Sequence, residues 1–179
     1  MADVVIIGMP ASGKSTVGRE VAARLGVPFH DSDTLVEERT GRLVREIFAD
    51  QGEVVFRALE EEAIAYALME PGVLSLGGGA VLSAATRAAL AGVPVVWLEV
   101  SVANATRRAG MNQLRPLLLG DVRARMETLM AERRPLYEEV ATHRVSTNRR
   151  SAAEVADRVV ALLRGQESAA ADPEDEETP

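Results

Sequence analysis

Eight consecutive residues, Gly8-Met9-Pro10-Ala11-Ser12-Gly13-Lys14-Ser15, fit the pattern G-x-x-x-x-G-K-[ST] without a gap. That pattern serves the binding of a nucleoside triphosphate. Glycine lets the backbone approach phosphate oxygens and adopt φ > 0. Successive N–H groups and the amino end of a following helix then face anionic oxygen. In such a loop Lys14 neutralises the β and γ phosphates, and the Ser15 hydroxyl takes one coordination position on Mg2+. The nucleotide-binding candidates are thus Gly8, Ala11, Ser12, Gly13, Lys14, Ser15 and Thr16. The basic residues number 20, of which 19 are arginine, and Lys14 is the sole lysine. A bias toward arginine accounts for the 19 but not for the position of the exception.

A phosphate loop implies ATP or GTP with Mg2+ and leaves the reaction open. With one lysine at position 14 the guanine-reading N-K-x-D cannot occur, and D-x-x-G is absent. Ligands of open α/β sheets bind beyond the carboxyl ends of the strands, and three groups of residues fall there. Asp31 and Asp33 flank Ser32. Asp33 could accept or orient the proton of an acceptor hydroxyl, and Asp31 could hold water on Mg2+; the plainer account of both is helix N-capping. Gly77, Gly78 and Gly79 follow an apolar run and would let backbone approach a ligand, or simply turn the chain. Arg57 offers a planar fork suited to a carboxylate, and Glu60 three residues on could aim it; alone, such a pair is commonly a surface ion pair. Arg115 precedes Pro116 in a loop-like stretch, 110–120, from which an arginine could close over phosphates. Arg133-Arg134-Pro135 adds a basic cluster.

The elements that must position these groups alternate. The continuous apolar run at 4–7, with 28–31, 73–76, 93–100 and 144–147, reads as five short strands. Helical periodicity or capping signals mark 17–25, 34–39, 43–49, 53–69, 83–90, 101–109, 122–134 and 152–163, with a short helical turn at 135–141. On 53–69 the apolar face reads as Val55, Leu59, Ala63, Tyr66 and Ala67. Strands alternating with helices predict an α/β three-layer sandwich around a parallel sheet.

The chain has 179 residues, 47% of them hydrophobic, which suits one domain over 1–165. There are no cysteines and two histidines, so disulfides, thiolate chemistry and a His-rich metal site are excluded. The net charge of −7 is concentrated at one end: six of 27 acids follow Arg164, leaving 21 acids against 20 bases in the body. That balance argues against a nucleic-acid binder. No apolar run reaches the roughly 18–20 residues of a membrane helix, and the first residues lack a basic region, so a cytoplasmic protein is expected. The polar stretch 166–179 is expected to be a disordered acidic tail.

The features taken together resemble shikimate kinases. GMPASGKST, DSD, FRALE, SLGGGAV, RPLL, RRPLY and TNRR occur in that family's order, between residue 4 and about residue 164. The resemblance implies the P-loop, nucleoside-monophosphate-kinase-like fold with strand order 2-3-1-4-5. It implies transfer of the ATP γ-phosphate to the 3-hydroxyl of shikimate, on the route to chorismate and aromatic amino acids. A substrate segment near 32–60 and a lid near 110–121 would be the mobile parts of a monomer. Asp33 would bind the shikimate hydroxyls and is the candidate base. Arg57 and Arg133 would grip the carboxylate, with Glu60 orienting Arg57 and Gly78 and Gly79 giving backbone contacts. Phe48 and Phe56 would wall the pocket, Arg115 would be the lid arginine, and Arg108 and Arg150 would border the adenine. Ser15 and Asp31 would serve Mg2+. Two positions depart from the family's habit: Ala11 stands where glycine is common, and Ala152 where proline is frequent. Another small P-loop kinase, for gluconate or a nucleoside monophosphate, stays open, as does a nucleotide-dependent switch without transfer chemistry; the carboxylate of Asp33 favours transfer. Removal of 166–179 should leave turnover within about twofold of the full chain in a steady-state assay, since a solvated tail contributes no packing.

Overall fold

Val4, Val5, Ile6 and Ile7 are all buried, so this run can only be a strand covered on both faces, and it forms the central strand β1 (Val4–Ile7). In the computed structural model, which describes residues 1–111 and 119–165, four more strands join it in parallel. They are β2 (Phe29–Asp31), β3 (Val73–Ser75), β4 (Val95–Glu99) and β5 (His143–Ser146), in the expected order β2-β3-β1-β4-β5. Period-two alternation divides the core. Val4, Ile6, Val96 and Leu98 face one layer with Val17, Val21, Val155 and Val159. Val5, Ile7, Val95 and Trp97 face the other, with Ile64, Met126 and Tyr137.

Helices α1 (Lys14–Leu25) and α7 (Ala152–Leu163) cover the first face. α1 ends on Gly26, left-handed at φ 69. α7 opens on a capping box between Ser151 and Glu154. Helix α2 (Ser32–Thr40) stops at Gly41, and α3 (Val44–Ala67) is broken at Gly52, where φ 82 and ψ 173 leave the helical region. The two helices expected on either side of 50–52 are therefore the two arms of α3. Its core face differs from the expected one. Phe56, Glu60, Ala63, Ile64 and Ala67 point inward, whereas Val55 and Tyr66 are 38% and 61% exposed. Apolar residues occur all around this helix, and the true inner face is the one interrupted by a carboxylate. A 3-10 turn (Ala80–Leu82) and α4 (Ala84–Ala89), capped by Ser83, follow β3.

Helix α5 (Val102–Met111) follows β4, and α6 (Leu119–Val140) precedes β5. Both run into the stretch expected to be a loop, of which 112–118, including Arg115, lies outside the described residues, as does the tail 166–179. α6 continues through Pro135 as one helix rather than breaking there. Proline removes one helical hydrogen bond, but beyond it Tyr137 is fully buried and stacks on Trp97 with ring centroids 5.8 Å apart, which holds the last turns to the core. Among the described residues no helix is long and apolar enough to cross a membrane.

At the amino end of β3 the turn at Pro71 and Gly72 is stitched to the chain start. Gly72 N–H donates to Asp3 Oδ2 at 2.7 Å, and Asp3 N–H donates to Gly72 O at 2.9 Å. Gly72 has φ 134, and a Cβ there would lie 2.6 Å from Pro28 O. Gly72→Ala should therefore cost about 2–4 kcal/mol and lower the thermal midpoint by roughly 5–15 °C. Because the turn sits at the opposite end of the sheet from the glycine loops, substrate KM values measured below the transition should stay unchanged.

Candidate active site

The carboxyl ends of β1, β2 and β3 lie side by side, so the loops that leave them meet. β1 pairs with β3 on one side and β4 on the other, which makes its end the switch point of the sheet. The loop after β1 is tightly determined. A Cβ on Gly8 would lie 2.6 Å from Leu98 O, and Gly13, at φ 90, opens α1. Ser12 is buried, and its Oγ has no partner among the described residues. Ala11 adopts φ 62, a left-handed conformation that costs a residue with a Cβ about 1–2 kcal/mol. The residue that departs from the family's habit thus sits in a backbone conformation that glycine adopts more readily. Arg108, from α5, donates to Ala11 O at 3.4 Å, to Thr147 Oγ1 at 3.2 Å and to Thr147 O at 2.8 Å. It ties the phosphate loop to the loop after β5. In that second loop Asn148 Oδ1 accepts from Ser101 N–H and Asn104 Nδ2, and Arg150 donates to Ser146 O.

Lys14 Nζ donates to Met9 O at 2.9 Å. Desolvation lowers its pKa to about 8, opposed by the fields of Asp31 and Asp33 and aided by that of Arg133. Thr16, next along α1, is exposed. The Ser15 hydroxyl donates to Asp31 Oδ2 at 2.7 Å, while Asp31 Oδ1 accepts from Asp33 N–H at 3.2 Å. Asp31 therefore caps α2 through one oxygen, as its plainer account expects, and meets the phosphate-loop hydroxyl through the other. Among the described residues no cluster of three or more acids, histidines or cysteines could hold a metal alone. A hydroxyl beside a carboxylate, with waters and phosphate oxygens completing the shell, is the sparse donor set that suits Mg2+ bound with a nucleotide.

Asp33 stands in the first turn of α2, and no hydrogen bond to its carboxylate is formed among the described residues. Burial raises its pKa, Asp31 raises it further, and Lys14 and Arg57 pull it down. The group thus lies within the fields of both the phosphate-loop lysine and the candidate acid fork.

Gly77, Gly78 and Gly79 bring these pieces together, and space is what they provide. A Cβ on Gly77 would lie 2.5 Å from Glu60 Oε1 and 3.1 Å from Asp33 Oδ1. On Gly78 it would lie 3.0 Å from Pro10 Cδ, in the phosphate loop. On Gly79 it would lie 2.3 to 2.9 Å from the Arg57 guanidinium. Gly77 N–H donates to Ser32 Oγ at 2.8 Å, and Gly78 O accepts from the Tyr137 hydroxyl at 2.7 Å. These contacts are more than a plain turn requires.

Arg57 is gripped from two sides. Its Nη1 donates to Glu60 Oε2 at 2.6 Å, and its Nε and Nη2 donate to Glu53 Oε1 at 3.2 and 2.9 Å. This is no surface pair, because Glu60 is 2% exposed. Burial works against the charge on Arg57, but the two carboxylates outweigh it and raise its pKa. Burial raises the Glu60 pKa while Arg57 opposes the shift, and Glu60 Oε1 has no partner among the described residues. The Phe56 ring lies 5.2 Å from the Arg57 guanidinium and 4.6 Å from the Phe48 ring, so these two form an apolar wall beside the fork. Arg133, on α6, acts electrostatically on Lys14, Glu60 and Tyr137, and its Nε is buried with no partner among the described residues.

Three contributors went unseen in the sequence reading: Ser32, Glu53 and Tyr137. Glu53 was legible as the residue four before Arg57. Ser32 and Tyr137 reach partners 45 and 59 residues away, which no local pattern encodes.

A model of the shikimate kinase family matches residues 10–164. The chain belongs to that family. The shikimate kinase of Mycobacterium avium is 54% identical over 161 residues, spanning 89% of this chain and 92% of its own. Among solved structures, the shikimate kinase of Acinetobacter baumannii in complex with shikimate superposes with TM-score 0.83 at 33% identity, over 93% of this chain and 96% of that one. A gluconokinase from Sinorhizobium meliloti reaches TM-score 0.60 at 22% identity over 92% of each chain, which is a likeness of fold alone. As a member of the shikimate kinase family the protein is a phosphotransferase.

Gly79 has φ −101 and ψ −3, ordinary values for any residue. Alanine there meets only the far end of Arg57, which Glu53 and Glu60 hold. Gly79→Ala should therefore displace the fork, weakening binding of a carboxylate acceptor about tenfold and, because the buried Glu60 loses part of its pairing, lowering the thermal midpoint by roughly 2–8 °C. Differential scanning fluorimetry and acceptor titration check the two halves.

Proposed function

We propose that the protein transfers the γ-phosphoryl group of Mg·ATP to the 3-hydroxyl of shikimate, giving shikimate 3-phosphate and ADP for the route to chorismate and aromatic amino acids. The observation that carries this reading is the place of Asp33. Its carboxylate abuts Gly77, in the same glycine run that abuts Pro10 of the phosphate loop and the Arg57 fork, and the charges of Lys14 and Arg57 act on it. Shikimate is a small acid with several hydroxyls and needs such a pair of groups.

In this reading Arg57 and Arg133 hold the shikimate carboxylate, and Gly78 and Gly79 add backbone contacts. Glu60 and Glu53 aim Arg57, while Phe48 and Phe56 exclude water from one side of the ring. Asp33 accepts the 3-hydroxyl proton as that oxygen bonds to the γ-phosphorus. The bond from the γ-phosphorus to the bridging oxygen breaks, and ADP leaves with that electron pair. The phosphate-loop amides and Lys14 hold the β and γ oxygens in line with the incoming hydroxyl. Ser15 and Asp31 are the residues that would hold Mg2+, whose chemistry is to neutralise charge on the phosphates. Arg115, from the lid near 110–121, would add a second positive charge there. Arg108 and Arg150 flank the adenine, and the loop that carries Arg150 is fixed by Asn148. The protein acts as a cytoplasmic monomer without nucleic-acid or membrane partners.

ADP release from Mg·ATP, measured with shikimate, gluconate, AMP or no acceptor, tests the reading. Strong release is expected only with shikimate; release with gluconate or AMP instead would discard the acceptor assignment. Asp33→Asn should lower kcat by about 100-fold or more while changing ATP affinity less than about threefold, because the carboxylate serves the acceptor hydroxyl. Parental turnover in that variant would remove Asp33 from its role.

A further inference from the structure

Tyr137 lies one helical turn beyond Arg133 on α6 and has no exposed surface. Its hydroxyl donates to Gly78 O at 2.7 Å, and the charge of Arg133 acts on it. Its ring stacks on Trp97 at 28° between planes. We propose that Tyr137 is the positioning residue of the acid-binding site, fixing the peptide between Gly78 and Gly79 against the helix that carries Arg133. This rests on the assignment above of Arg133, Gly78 and Gly79 to the shikimate carboxylate.

A buried hydroxyl needs a partner wherever it stands, so satisfaction of a core tyrosine has to be weighed first. The identity of the partner decides against that account. Gly78 O belongs to no strand or helix; it lies in the middle of three glycines, where the backbone has the most freedom to rotate. A trans peptide is planar, so a Gly78 carbonyl held toward α6 places the Gly79 N–H on the opposite side, away from Tyr137. Gly78 also abuts Pro10 and Gly79 abuts Arg57, so the same peptide sets the distance between the phosphate loop and the fork. One turn earlier on α6, the buried Nε of Arg133 is unpartnered among the described residues. One hydroxyl thus joins the helix that carries Arg133 to the glycine loop, two acid-binding elements from distant parts of the chain. Burial pushes its pKa up to about 12, so it remains a proton donor throughout the working range.

Tyr137→Phe keeps the ring on Trp97 and removes only the hydroxyl. The KM for shikimate should rise about tenfold, with the KM for ATP within about twofold and kcat within about threefold. Arg133→Gln, and the double variant, are measured beside it. The double variant should raise the shikimate KM no more than about threefold beyond Arg133→Gln alone, because the two act as a unit. Three outcomes overturn the proposal. A shikimate KM within twofold of the parent in Tyr137→Phe, while Arg133→Gln raises it, leaves the acid site standing and makes the hydroxyl a core group only. Both KM values rising together with a lowered thermal midpoint shows a general loss of structure. An unchanged shikimate KM in Arg133→Gln removes the acid-site assignment itself, and the positioning role with it.

Discussion

The site depends on close approach at the end of β3. Within three residues the chain passes a buried carboxylate, a phosphate-loop proline and a guanidinium, and a Cβ would crowd them at 2.5, 3.0 and 2.3 Å. Gly78 and Gly79 are absent from the positions with φ > 0, so at these two the backbone conformation does not demand glycine. The demand comes from the neighbours. The sheet order sets it up, because β3 lies between β1 and β2, and its end must pass between the phosphate loop and the Asp31 and Asp33 pair. A parallel sheet delivers all three chain ends to one edge, and glycine lets them converge.

Charge is arranged around that edge with few side chains. Lys14, Arg57 and Arg133 bring three positive charges to the space that Asp31, Asp33 and Glu60 share. Lys14, Asp33 and Glu60 are each perturbed by other members of this set, and desolvation heads the causes for all three. A body with nearly balanced formal charge thereby gathers three cations, the groups that an anionic nucleotide and an acid need, beside three carboxylates at one edge.

Much of this was legible in the chain. The five strands, their order by family resemblance, the phosphate loop and the residues Asp33, Arg57, Glu60 and Arg133 were readable because each is a local pattern or part of a spaced motif. What escaped is tertiary. The inner face of α3 was misread because a count of apolar residues rejects Glu60, the one buried carboxylate whose burial the site uses. The break expected at Pro135 did not occur, because Tyr137 and Trp97 hold the helix beyond it. The glycines were read as access for a ligand, whereas their distances show that they also make room for the protein's own side chains. The roles of Ser32 and Tyr137 rest on hydrogen bonds to residues far along the chain, and no spacing rule anticipates them.

The solitary lysine has a chemical consequence. Arginine stays protonated and is a poor nucleophile, so Lys14 is the only side-chain amine that an acylating reagent can find. Desolvation has moved its pKa to about 8, which leaves an appreciable fraction as free amine near neutrality. A surface studded with arginine and devoid of lysine therefore leaves amine chemistry two targets, the terminal α-amine and the single side-chain atom Lys14 Nζ. That atom is the one a bound triphosphate would cover, so a modest electrophile becomes an active-site label with the nucleotide as its natural protecting group.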